Sequence, residues 1–231
     1  MCGRFAFYSP AEAITHIFGV PDVPAMVPRY NLAPTQFVAT LRQLPDEAPR
    51  VAMLRWGLIP SWAKDASIGN RLINARGETV DSKPSFRHAF KKQRCLVLAD
   101  GYYEWRTEDG AKQPYFISMK DGQPFSMAGL WEAWDDGVSD SLLHTCTIVT
   151  TEPHEALAHL HSRMPVIVPA EARSDWLNPA NQDTVGLRDH IRAYDGEAMT
   201  WRPVSRAVGN PRNDDPSLLA ETKKDDSSNA E

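Results

Sequence analysis

The chain holds 231 residues, 42% of them apolar and 24% charged, and no apolar run approaches the ~20 residues of a membrane span. Its formal charge of −5 offers no basic excess to a nucleic-acid partner, yet the charge is unevenly spread: six acids and two lysines from Asp214 to Glu231 carry −4, leaving −1 on the other 213 residues. Three scattered cysteines, Cys2, Cys95 and Cys146, supply neither a disulfide framework nor a paired-cysteine zinc site. With no basic-plus-apolar leader in evidence, a cytoplasmic protein is expected.

In chain order, SPAEAITHIFG predicts a first helix with Ser9 as N-cap, Pro10 at its first position, Glu12 completing a capping box and Gly19 as the stop. QFVATLRQ and RVAMLRWG predict strands joined by a polar loop, and SKPSFRHAFKKQ a helix capped by Ser82. From Arg94 to Trp134, three Asp-Gly dipeptides separate β-branched and aromatic runs, which predicts successive turns of an antiparallel meander. TCTIVTT and MPVIVP predict further strands, with helical stretches at PHEALAHLH, AEARSDWL and LRDHIRAY. The pattern lacks the regular alternation of a doubly wound sheet, so the expected class is α+β, with a curved, barrel-like antiparallel core and peripheral helices. One domain over residues 1–213 is expected, followed by a polar, acidic, disordered tail over 214–231.

Five segments set polar groups among aromatics and turn residues: PRYNLAPTQ, RWGLIPSWAKD, RLINARGET, DGYYEWR and HLHSRMP. Strand alternation puts Tyr103 and Trp105 on one face and Tyr102 and Glu104 on the other. If that second face is the inside of a curved sheet, Glu104 needs partners or a raised pKa, which suits acid/base work. Asn74 could instead tie off a turn, and Arg76 and Glu78 could pair across a strand. His154 and His159 are five residues apart, about 140° around a helix, which rejects a zincin site; no metal and no cofactor are expected. His161 falls where the chain turns into the MPVIV strand.

Taken together, MCGRF, RYNLAP, WGLIPSWA, LINARGET, ADGYYEW, QPYFI, HSRMPVI and WRPVSRAVGN resemble, in order and spacing, the SRAP domain family, historically called SOS-response-associated peptidases, over about residues 2–210. The resemblance implies a mixed α/β fold and a covalent link between an N-terminal cysteine and abasic sites in single-stranded DNA. It places the active residues at Cys2, Asn74, Glu104 and His161. Arg4, Arg76 and Arg163 are then expected phosphate contacts, Trp62 and Trp105 base-stacking or wedging groups, and Asn31, Pro34 and Asn210 channel residues.

Chemistry explains a terminal cysteine. Loss of Met1 leaves an α-amine of pKa about 7.7–8.0, roughly a third unprotonated at pH 7.5 against ~0.1% for a lysine, and so able to attack the ring-opened aldehyde of an abasic site. The neighbouring thiol then closes on the imine to give a thiazolidine before the strand is cleaved. The expected protein is therefore a monomeric self-crosslinking enzyme of the DNA damage response, with lyase chemistry in reach and peptidase action limited to self-processing, nucleoid-associated when engaged. Two alternatives are an N-terminal cysteine hydrolase of the glutamine amidotransferase kind and a non-covalent reader of single-stranded DNA.

Overall fold

Apolar runs punctuated by turn residues become the strands of two sheets. The computed structural model describes residues 2–222. Its first half contains β1 (Phe5–Phe7), α1 (Ala11–Phe18), β2 (Arg29–Leu32), β3 (Phe37–Arg42), β4 (Arg50–Trp56), β5 (Asn74–Arg76) and α2 (Arg87–Lys92). There follow β6 (Arg94–Ala99), β7 (Gly101–Glu108), β8 (Ala111–Met119), β9 (Phe125–Trp134) and β10 (Leu143–Thr151). The last part holds α3 (Glu155–Ala158), β11 (Met164–Pro165), α4 (Arg173–Leu177), α5 (Thr184–Arg188) and β12 (Met199–Pro203).

The larger sheet closes on itself: β10, β4, β3, β6 and β9 pair in turn, and β9 returns to β10. Closure leaves no unpaired edge among these five strands. β5 extends the same edge of β10 that β4 begins, and β11 pairs β10 further on. The second sheet runs β12–β8–β7–β1–β2 and is antiparallel throughout. Phe5 of that sheet meets Trp56 of the barrel edge-on, with ring centroids 5.2 Å apart, so one apolar core spans both layers.

The α+β class with a barrel-like core holds, but the core is not wholly antiparallel. β10 pairs parallel with both β4 (Thr145↔Arg55) and β5 (Ile148↔Asn74). The meander also divides. Of the three Asp-Gly pairs, Asp109–Gly110 makes a hairpin turn between β7 and β8, with both residues at positive φ (48° and 78°). At Asp100–Gly101 the chain instead passes from the barrel to the second sheet, because Asp100 is occupied in accepting the Tyr8 and Ser9 amides. The Ser9 hydroxyl also goes to Asp100, so Ser9 does not cap α1; Pro10 takes the N-cap position, while Gly19 ends the helix in the left-handed region as expected. Ser82 likewise caps nothing in α2, which starts only after Phe86.

The segment read as the start of a tail is folded as far as Thr222. Asp214 binds the Arg29 guanidinium and the amides of Tyr30 and Asn31. Leu218 is buried, and Thr222 donates its amide to Pro203. Polarity of composition concealed one anchoring carboxylate and one apolar side chain. Residues 223–231, the rest of the expected tail, lie outside the described residues. Among the described residues no helix is long and apolar enough to cross a membrane.

Candidate active site and nucleic-acid interface

Four side chains widely separated in sequence meet where the second sheet faces β5. Cys2, just ahead of β1, is fully buried, and its carbonyl accepts a 2.8 Å hydrogen bond from Asn74 Nδ2. Asn74 is held there because β5 pairs with β10 and the Trp56 indole donates to the preceding carbonyl, that of Ile73. Its Oδ1 is buried and accepts no hydrogen bond among the described residues. Glu104 points inward from β7, on the face of buried Tyr102 and opposite Tyr103 and Trp105, which pack in a separate cluster. The alternation in GYYEW thus places its carboxylate in the core, where only 3% of the residue is exposed.

Burial sets the electrostatics. Desolvation by burial raises the Glu104 carboxyl from 4.5 to about 7. Burial first, and the Glu104 charge second, push the Cys2 thiol far up, so at neutral pH it rests protonated. His161 Nε2 stands 4.0 Å from Glu104 Oε2, and its Nδ1 accepts the Arg163 amide at 3.0 Å. That acceptance assigns a neutral ring with its hydrogen on Nε2, facing the carboxylate. Partial burial lowers the His161 pKa and favours this neutral form.

The expected DNA contacts divide into two sets. Trp62 is 59% exposed, Arg76 and Asn210 are exposed, and Pro34 and Trp105 are half-buried. Arg4 and Asn31 are instead internal struts. Arg4 Nη1 donates to Asn31 Oδ1 at 2.8 Å and to the Val208 carbonyl at 2.7 Å, and buried Asn31 donates to the carbonyls of Val208, Asn210 and Asn213. Asn31 therefore ties β2 to the C-terminal segment rather than lining an open channel. Arg163 grips Glu78 with both terminal nitrogens, at 2.6 and 2.9 Å, and the Thr150 carbonyl at 2.6 Å. Glu78 thus pairs with Arg163 and not with Arg76, and this ion pair braces the His161 segment against the end of β5.

The family model described as "SOS response associated peptidase (SRAP)" matches residues 1–211. The chain belongs to the SRAP family. Among SRAP relatives, it is 41% identical over 223 residues to "Abasic site processing protein YoqW" of Bacillus subtilis, an alignment covering 95% of this chain and 99% of that protein. It is 33% identical to "Abasic site processing protein YedK" of Escherichia coli, again over 95% and 99% of the two chains. A crystal structure of a protein from Bacteroides thetaiotaomicron superposes with a TM-score of 0.85 at 26% identity, covering 96% of this chain and all of the other. Two carboxylates went unassigned by the SRAP motifs: Glu78, the partner of Arg163 beside the site, and Glu132 in β9, a buried carboxylate 3.2 Å from His88. For Glu132, the available signal was a lone carboxylate in the otherwise apolar run FSMAGLWEAW, since an acid in a buried strand calls for partners.

Proposed function

We propose that this protein processes abasic sites by trapping them covalently on Cys2. The observation that carries the reading is the convergence of Cys2, Asn74, Glu104 and His161 in one buried site whose carboxyl titrates near neutrality. The names of the relatives point to the same lesion. Once Met1 is removed, the Cys2 amine attacks C1′ of the ring-opened sugar, and loss of one water from the carbinolamine gives the imine. The thiol sulfur then adds to that carbon while the imine nitrogen takes a proton, closing a thiazolidine with one water lost overall. Because the buried thiol rests protonated, its proton needs an acceptor as the C–S bond forms, and the Glu104 carboxylate is the neighbouring base. In its protonated form, about half the population near pH 7, Glu104 donates to the sugar oxygen during ring opening or to the departing hydroxyl. His161 assists ring opening or reversal, and Asn74 Oδ1 orients the amine or the sugar.

The strand taken is single-stranded, bound by a monomer in the cytoplasm and on the nucleoid. Arg76 and Arg163 contact phosphates, Trp62 and Trp105 stack on bases, and Pro34 and Asn210 border the path. Binding is salt-sensitive and indifferent to base sequence, since a missing base presents no edge to read. Lyase or self-processing peptidase action is secondary to the trap.

The test mixes mature protein, its Met1 loss confirmed by intact mass, with single-stranded DNA treated by uracil-DNA glycosylase. A denaturation-resistant adduct with the summed mass minus water is expected. A complex that dissociates in boiling detergent would instead identify a non-covalent reader, and turnover of glutamine an N-terminal cysteine hydrolase.

A further inference from the structure

Trp62 presents a large apolar ring to solvent, at a cost in hydration that a mobile loop would reduce by folding it back. The residues around it prevent that. On one side, Ile59 donates its amide to Thr145 Oγ1 of β10 at 2.9 Å, and on the other the Trp134 indole of β9 donates to the Ala63 carbonyl at 2.7 Å. Ala63 in turn donates its amide to Pro60 at 2.8 Å, closing a tight turn with Trp62 inside it. The Ser61 amide and hydroxyl lie close enough to the Glu132 carboxylate to favour its charged form, and His88 Nδ1 meets that carboxylate at 3.2 Å. At the start of the loop, Gly57 has φ +118°, and a Cβ there would stand 2.6 Å from the Gly69 carbonyl oxygen. The loop is therefore held at its root, at Ile59 and at Ala63 next to Trp62, with Ser61 beside the Glu132 carboxylate, and its far end leads through residues 66–71 to Asn74.

We propose that Glu132 and Trp134 are positioning residues that hold Trp62 in a fixed outward pose, so that its indole stacks on a base of the bound DNA strand. Both sit two residues apart on the same face of β9, a strand paired on both edges, and the Trp62 turn rests against them. A preset ring loses little freedom on binding, which converts more of the stacking energy into affinity. This rests on the abasic-site reading above.

The experiment uses the full chain carrying 5-fluorotryptophan, with the Trp62 resonance assigned by its loss in Trp62→Phe. Trp134→Phe keeps an aromatic side chain and removes the indole donor, while Glu132→Gln keeps the shape and weakens the Ser61 contact. Affinity for an abasic single strand is measured by anisotropy, and stacking by quenching of a 2-aminopurine beside the lesion. Trp62→Ala is expected to weaken binding by about 5- to 150-fold, the range for one lost stacked base. Trp134→Phe and Glu132→Gln are each expected to shift or broaden the Trp62 resonance, reduce 2-aminopurine quenching and weaken binding several-fold. Combined with Trp62→Ala, neither should add a further loss. An unchanged resonance in both variants, losses that multiply with Trp62→Ala, or full affinity in Trp62→Ala overturns the proposal. Wild-type protein run in parallel reports the underlying reading separately, because a wild type that forms no adduct refutes abasic-site trapping while the resonance still reports on the mount.

Discussion

Glu104→Gln should make the protein more stable and less active at once, and the size of the first effect follows from where the carboxyl sits. A carboxyl moved from 4.5 to about 7 by burial holds its proton more tightly in the folded chain. Between those two pH values the native state binds more protons than the unfolded state, so stability falls as pH rises through the window. At about 1.36 kcal/mol for each pH unit, the full penalty above pH 7 is about 3 kcal/mol, and it vanishes below pH 4.5. Glutamine fills the same volume with no charge to desolvate, so this penalty disappears. Urea unfolding from pH 4 to 8.5 should therefore show the variant and parent converging at acid pH, with the variant gaining up to about 3 kcal/mol on the alkaline side. Single-turnover crosslinking should move the other way, slowing about 10²-fold or more and losing the inflection near pH 7. A variant that is less stable than the parent at pH 8, yet crosslinks at the parental rate per folded molecule, would make Glu104 a structural carboxylate and refute the reasoning.

Cys2→Ser keeps a terminal amine but can close only to a less stable oxazolidine, so borohydride should trap an imine while the denaturation-resistant adduct is lost; equal adduct yield would exclude the thiol. Arg76→Gln should weaken binding to intact and abasic strands alike and flatten the slope of log affinity against log salt by about 0.7, the loss expected for one single-strand phosphate contact. Arg163→Gln should do the same and also slow crosslinking, because its amide and guanidinium segment carries His161 and grips Glu78; a loss confined to crosslinking would remove it from the phosphate path.

How far the fold was legible depended on whether a signal was local. The runs that became β3, β4, β6 and β10 could be read from their apolar content, because strand formation and burial demand the same side chains. The path between sheets could not. Asp100–Gly101 has the composition of a turn, but Asp100 is drawn to amides over ninety residues away, at Tyr8 and Ser9, and the chain crosses layers there instead. Parallel pairing of β10 with β4 and β5 is likewise a long-range outcome with no local signature. In the site, alternation alone put Glu104 and Tyr102 on one face, while Asn74 and His161 were found only through the family resemblance. Nothing in RYNLAP distinguishes an Asn that meets DNA from one that satisfies three backbone carbonyls, as Asn31 does.

The same ambiguity governs the C-terminal segment, where composition and structure give opposite expectations that a truncation can separate. A chain ended after Asn213 would lose the Asp214 carboxylate, leaving the amides of Tyr30 and Asn31 and the Arg29 guanidinium without it. It would also uncover the core cluster around Tyr103, Phe116 and Val208 that Leu218 covers. Burying a leucine is worth about 1.5–3 kcal/mol, and stranded backbone donors cost about 1 kcal/mol or more each. A loss of several kcal/mol in unfolding free energy is therefore expected. Because Asn31 links this segment to Arg4, two residues beyond Cys2, the truncation should also slow crosslinking. Unchanged stability and rate in the chain ended at Asn213 would show that the contacts of Asp214 and Leu218 contribute nothing, and would restore the reading of 214–222 as a tail.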